Sequence, residues 1–375
     1  MFAERRAKLM QDIPEGTVLV VPSNKVVLRN NDVSYPFYQN SDFLYLTGWE
    51  QPDALLLLSH TEEKFFCEDL PPEKVVWEGS KLGRLEAEQR LSMPVYPRKE
   101  IKKHLFDFNV FCSTQPDLCL PHDFNWQQYS LNMRVSKSSE EVGLIKQAIA
   151  FTIQGHKYLI SQVREGISER ALYGAWLSQM YGYGLMAEAY PAIIAAGVNS
   201  CTLHYTDLTS TCCLGDLLLI DAGMSYRGYA ADLTRTVPVS GKFSVLQKQV
   251  YEQVLQIQLA SEKFCQPGTS LQDLNKYVDS LYEAAIIELG FRGNVRKYAP
   301  HGIGHSLGLD VHDIGLDRLQ PIPEGAVITI EPGLYFPEQA IGIRIEDNYL
   351  MTSSGLVCLS SDLPKTVSEI EKLCE

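Results

Sequence analysis

Two apolar rhythms run along this chain, and the change from one to the other divides it. Up to about residue 125, apolar residues come in short runs at 17–21, 54–59 and 74–77, punctuated by Pro and Asp. Runs of this kind predict strands. An amphipathic stretch at 5–13 precedes them. Together they predict a small α/β unit. Residues 118–126 are polar, contain Pro121 and predict a linker. From residue 136 the period lengthens. SKSSEEVGLIKQAIAFTIQGHKYLI leads with serines, carries Glu140 and Glu141 in its first turn, and repeats apolar residues at helical spacing. That is a capped helix. Further helices are expected over 168–181, 245–264 and 271–290, with Gln266-Pro267-Gly268 stopping the one before it. Short strands fill the remainder. The expected architecture is α/β (α+β): an N-terminal domain over 1–125, a linker over 126–135 and a larger domain over 136–375.

Successive strand residues point to opposite faces. In IGIRIE, Ile341, Ile343 and Ile345 therefore face one way, and Gly342, Arg344 and Glu346 the other. Val327, Thr329 and Glu331 share a face of VITIE in the same manner. The buried run 217–220 delivers Asp221 at its end, and Asp232 follows eleven residues later, after a turn at 226–228. That spacing suits a hairpin that brings both aspartates to one point. Singly, each signal is weak: an Asp at a strand end usually forms a turn, and Glu346 could simply pair with Arg344. Taken with His305, however, the set is four carboxylates and one imidazole. Such hard, oxygen-rich donors hold two divalent ions side by side. Mg, Mn, Co or Zn would fit, with the oxygen bias favouring Mn. The absence of Cys from the set argues against a structural zinc site.

His301 and His305 flank Gly302-Ile303-Gly304. Gly302 stands where an HExxH zinc motif needs its Glu, and the two glycines predict a loop or strand edge. His204, in CTLHYT, and His312, in LDVHD, complete the histidines of interest. His60, His122 and His156 lie outside any motif and are expected to be ordinary surface or core residues.

Composition narrows the classes. The 375 residues, 45% of them apolar, suffice for about two domains. A formal charge of −13 without a Lys/Arg-rich run argues against binding nucleic acid or an anionic membrane. Apolar runs such as 54–58 fall far short of the roughly 20 residues that span a bilayer. MFAERRAKLM lacks a following apolar core, so no secretory signal is expected. Nine cysteines with no CxxC pair fit reduced thiols in the cytoplasm.

In this order, CTLHYT, LLLIDAG, YAADLTRTVPVSGKF, HGIGHSLGLDVHD, ITIEPGLYF and IGIRIEDN resemble the metallopeptidases of pita-bread fold. That family includes methionine aminopeptidase, proline dipeptidase and aminopeptidase P. YPFYQNSDFLYLTGWEQPDALLLL and MRVSKSSEE resemble the N-terminal domain and the helix opening of the aminopeptidase P branch. The resemblance covers nearly the whole chain. It implies that Asp221, Asp232, His305, Glu331 and Glu346 ligate two metal ions, with Asp232 and Glu346 bridging. Manganese is the implied metal, Co²⁺ or Zn²⁺ being alternatives. His204, His301 and His312 match the family's active-site histidines, Arg344 a residue that orients a ligand carboxylate, and Tyr335 a substrate-facing residue. The implied activity is release of the N-terminal residue from peptides with Pro second. Glu331 would carry the proton, His204 and His301 would hold the carbonyl oxygen, and His312 would contact substrate further along. A homodimer or homotetramer is also implied, in which one subunit's N-terminal domain helps close a neighbour's site. The alternatives are a proline dipeptidase and, further off, a non-catalytic peptide-binding module.

Overall fold

The structure is a computed structural model. It describes residues 1–105, the backbone of 110–113, and 132–375. The chain forms two compact units, Met1–Met133 and Arg134–Glu375.

In the first unit the strands are β1 (Thr17–Pro22), β2 (Leu28–Asn30), β3 (Val33–Ser34), β4 (Leu55–Ser59), β5 (Glu63–Cys67), β6 (Val95–Pro97) and β7 (Val110–Ser113). Five of them make one sheet in the order β6-β5-β4-β1-β7, and β2 and β3 form a separate hairpin. Both β1 and β4 are buried along their whole length, which is why they read as continuous apolar runs. Val18, Val20, Leu55, Leu57 and Phe66 share one apolar layer with Ile101 and Leu105. The amphipathic N-terminal stretch is the helix Phe2–Asp12, burying Arg5, Arg6 and Leu9.

The strand expected at 74–77 is instead part of a helix, Pro72–Glu78, with no buried residue. Pro72 is preset for a first helical turn, and Gly79, at φ 73°, ends it. Val76 and Trp77 are 86% and 88% exposed. The apolar run therefore marks a solvent-facing helix and not a core strand. The polar segment at 118–126 lies outside the described residues. Residues 132–135 form a helical turn in which Arg134 and Val135 are buried.

In the second unit the strands are β8 (Ile193–Ala196), β9 (Leu217–Ala222), β10 (Ser225–Tyr226), β11 (Tyr229–Ala230), β12 (Leu233–Pro238), β13 (Val327–Ile330), β14 (Gly333–Phe336), β15 (Ile341–Arg344), β16 (Asp347–Thr352) and β17 (Gly355–Cys358). They form the sheets β12-β9-β8 and β13-β16-β17 and the pairs β10-β11 and β14-β15. Helices Ser139–Gln162, Glu169–Gly182, Val245–Phe264 and Leu271–Glu288 cover them. Ser138, Ser168, Ser244 and Ser270 cap these helices through their side chains, satisfying backbone N–H groups that a helix start leaves open. Trp176, Tyr251, Leu274, Leu218, Ile330 and Ile343 belong to one core in which helices and sheets meet.

Three local features aim this fold at a point. Antiparallel pairing of β9 with β12 sets Ala222 opposite Leu233, so Asp221 and Asp232 arrive together. The intervening chain returns through a tight turn with Arg227 at φ 49° and Gly228 at φ 86°, the geometry that suits a two-residue hairpin. Ile341, Ile343 and Ile345 are buried on one side of β15 and its extension, which turns Arg344 and Glu346 the other way. Glu346 donates its N–H to Thr234 O at 3.1 Å, joining the two halves of the unit.

From behind, Arg235 locks this junction. It is fully buried and donates to Glu346 O at 2.7 Å, Asp347 Oδ1 at 2.8 Å, Leu363 O at 2.8 Å and Pro364 O at 2.8 Å. The segment after Ser360 is thus a closing element, ending in the helix Val367–Leu373.

Candidate metal centre

Asp221 lies on β9. Asp232 immediately precedes β12, Glu331 follows β13, and Glu346 joins β15 to β16. His305 sits in a loop whose backbone is stitched to β13: Thr329 N–H donates to His305 O at 2.9 Å, and Glu331 N–H to Ile303 O at 2.8 Å. Gly304 makes this possible, since a Cβ there would collide with Thr329 O. All five side chains line one cavity of about 490 Å³, and His204, His301, His312 and Arg344 line it too.

His305 Nε2 lies 3.4 Å from Asp232 Oδ2 and 3.6 Å from Glu331 Oε1. Ligand atoms of Asp232, His305 and Glu346 lie within 4.8 Å of one another. Glu346 Oε2 accepts from Thr234 Oγ1 at 2.7 Å. Arg344 does not pair with Glu346; its Nη2 donates to Asp221 Oδ2 at 2.5 Å.

Burial dominates the electrostatics. It raises Glu331 to about 7, with the positive His305 and Arg344 opposing. It also holds Glu346 well above the usual carboxylate range, with repulsion from Asp232, Glu331 and Asp221 adding to the effect. Asp232 is raised by burial as well, against the hydrogen bond from His305. Burial pulls His305 down, but Asp232 and Glu331 outweigh it and carry the imidazole to about 9. Three buried carboxylates and the half-buried Glu331, facing one arginine and one imidazole, form a cluster short of positive charge. Hard cations supply that charge, and oxygen donors with one imidazole suit them. The residues present therefore fit divalent metal.

Among the expected residues, Tyr335 departs from its implied place. It is buried and is not among the residues that line this cavity. Its hydroxyl accepts from Arg344 Nη1 at 2.7 Å and bonds His301 Nε2 at 2.8 Å. His301 Nδ1 bonds Gly302 O at 2.8 Å, so Nδ1 carries the ring proton and Nε2 accepts from Tyr335. Burial, with Arg344 adding to it, lowers His301 to about 4 and keeps it neutral. His204 is exposed on the wall and makes no hydrogen bond among the described residues. The His312 ring stands edge-on to His305, with centroids 4.3 Å apart. His156, by contrast, is a core residue bonded to Ala222 O at 3.1 Å, and His60 bonds Met10 O. His122 lies outside the described residues.

Two polar cavity residues carry no motif. Tyr190 bonds Asp221 Oδ1 at 2.6 Å and also Asp232 Oδ1. A hydroxyl has one proton, so it serves one carboxylate at a time. Its only sequence signal is position: it opens the run into β8, where Ile193 pairs with Asp221. Arg318, in a polar loop, lines the same cavity.

A buried carboxylate cluster of this kind, opening on a cavity walled by histidines, defines a metal-dependent hydrolase. Residues 143–353 match metallopeptidase family M24, and residues 2–110 match the aminopeptidase P N-terminal domain. Xaa-Pro aminopeptidase of Haemophilus influenzae is 34% identical over 99% of this chain and 96% of that protein. Two solved structures, zinc-substituted Escherichia coli aminopeptidase P in complex with product and the same enzyme with the inhibitor Pro-Leu, each give a TM-score of 0.93 at 31% identity. Each comparison covers 100% of this chain and 97% of the other. The chain belongs to the aminopeptidase P branch of metallopeptidase family M24, with the pita-bread fold in its second unit. It is a metallo-aminopeptidase that binds divalent metal. No helix among the described residues is long and apolar enough to cross a membrane.

Proposed function

We propose that this protein is an Xaa-Pro aminopeptidase in which Asp221, Asp232, His305, Glu331 and Glu346 would hold two divalent ions. The observation that carries this reading is the convergence of these five side chains, with His204 and His312, on one cavity. The oxygen-rich set favours Mn²⁺. When bound, the ions supply an acidified water and polarise the scissile carbonyl.

The rest belongs to the chain. Glu331, on the cavity wall, takes on its carboxylate the proton that the attacking water gives up and passes it to the leaving proline nitrogen. That nitrogen has no hydrogen of its own in the peptide, so a positioned acid matters more than for an ordinary amide. His204 has its ring nitrogens free among the described residues and donates to the carbonyl oxygen as charge develops there. His301 has both nitrogens engaged; it fixes Tyr335 and, through it, Arg344. Arg344 holds Asp221 in its ligating orientation. His312 contacts the substrate further along the cavity.

The seven described cysteines are all free, which supports a place in the cytoplasm. The protein works there as a homodimer or homotetramer, which light scattering of the metal-loaded chain tests.

The reaction itself is tested by giving Mn²⁺-loaded protein Xaa-Pro, Xaa-Pro-Xaa-Xaa and Xaa-Ala-Xaa-Xaa peptides and reading products by mass spectrometry. The expected result is loss of one N-terminal residue from the proline tetrapeptide and none from the alanine one. Cleavage of the dipeptide alone would make the protein a proline dipeptidase. No cleavage with metal bound would overturn the reading.

A further inference from the structure

The helix opening RVSKS contributes nothing to the chemistry above, yet it brings two cations into the protein interior. The side chains of Arg134 and Lys137 are 2% and 1% exposed. Both converge on Asp313, itself 1% exposed. Arg134 Nη2 lies 2.5 Å from Asp313 Oδ1, and Lys137 Nζ lies 3.1 Å from Oδ2. Arg134 Nη2 also reaches Asp310 Oδ2 at 2.8 Å. Asp313 follows His312 directly in the chain.

The loop these groups grip is folded back on itself. Asp313 N–H donates to Ser306 O at 2.8 Å, and Gly308 N–H to Asp310 O at 3.1 Å. Ala230 N–H donates to Gly308 O at 2.8 Å, tying the loop to β11 two residues before Asp232. A Cβ on Gly308 would strike the Asp313 carboxylate, so this glycine leaves room for the ion cluster. The His312 ring, next in the chain to Asp313, stands edge-on to His305 at an interplanar angle of 83°. Burying three charges carries a desolvation cost that an apolar triplet avoids. What the ionic triplet supplies is direction: two cations approach the two oxygens of one carboxylate and fix it at both.

We propose that Arg134 and Lys137 are positioning residues for the peptidase reaction, acting through Asp313 to hold His312 on the wall of the metal cavity. This rests on the Xaa-Pro aminopeptidase reading. The assignment predicts a coupling that simple destabilisation would not produce. Arg134→Gln should lower kcat/KM on the proline tetrapeptide by roughly 10- to 100-fold, the scale of a misplaced active-site group. His312→Ala should lower it comparably. The double variant should be no worse than His312→Ala alone, since an effect exerted through His312 vanishes with it. Arg134→Lys should restore most of the loss.

The experiment is this cycle on the full-length, metal-loaded protein, with hydrogen exchange of 306–313 followed in wild type and Arg134→Gln. Fully multiplicative losses would overturn the proposal, as would no loss in either single variant. If the wild type cleaves no proline peptide, the functional reading fails and exchange decides the anchoring. Faster exchange confined to 306–313 upholds it, and unchanged exchange overturns it. Should Arg134→Gln fail to fold, Lys137→Met and Asp313→Asn pass through the same cycle.

Discussion

Glu331 lines the cavity beside His305 and offers a carboxylate that can accept a proton and hand it on. Glu331→Gln keeps the shape and removes the exchangeable proton. Steady-state assays should show kcat down by roughly 10²–10⁴-fold, with peptide binding still measurable. A loss of only a few-fold would mean that another group carries the proton. Tyr190→Phe removes the hydroxyl that bonds Asp221 and Asp232. Partners of metal ligands typically contribute about 10–100-fold to metal affinity, so competition with a fluorescent chelator should reveal a loss of that order. Unchanged affinity would reduce the hydroxyl to a spectator. The four proposed carboxylate ligands stand out because each sits in a short word that places it on or at the end of a strand, and His305 because its word pairs histidines with glycines. Tyr190 does not, because its partners lie 31 and 42 residues away. Tyr335 was legible as a site residue but not as a buried one.

Strands and loops meet at glycines wherever the pocket is tightest. A Cβ on Gly342 would run into Ser200, in the loop just before His204. Gly342→Ala forces that loop off β15, and overpacking of this kind costs about 1–3 kcal/mol. Chemical denaturation should show it, with activity falling further than stability alone explains; a neutral substitution would show that the loop yields freely. Helices were the most legible elements, because a serine cap and a long 3.6-residue period act together. The helix expected at 245–264 has those bounds, and the one at 168–181 is displaced by a single residue. The four-residue run at 74–77 misled because periodicity cannot separate strand from helix over so short a window. Its proline and glycine boundaries carried the correct signal. Pairing between distant strands, such as Glu346 with Thr234, has no local trace at all.

Across the whole molecule, pH should act through His156. It is fully buried, and burial lowers its imidazole from 6.5 to about 4. Between those values the unfolded chain binds the proton and the folded chain does not, so acid favours unfolding. This contribution is complete above about pH 6.5 and declines as pH falls towards 4, by about 3 kcal/mol in all. Stability measured from pH 4 to 7.5 should therefore slope less steeply in His156→Gln than in wild type. Parallel slopes would assign the acid sensitivity elsewhere. The Arg235 clamp has a consequence in time. The proposed ligands span positions 221 to 346, and the carbonyls that Arg235 grips come later still, at 363 and 364. A ribosome working at 5–20 residues per second needs roughly 7–30 s to pass from Asp221 to Pro364. Throughout that interval Asp221 and Asp232 have emerged or are emerging without their partners. The finished pocket, and with it selective metal capture, waits until the segment that carries Leu363 and Pro364 has been made and folded back.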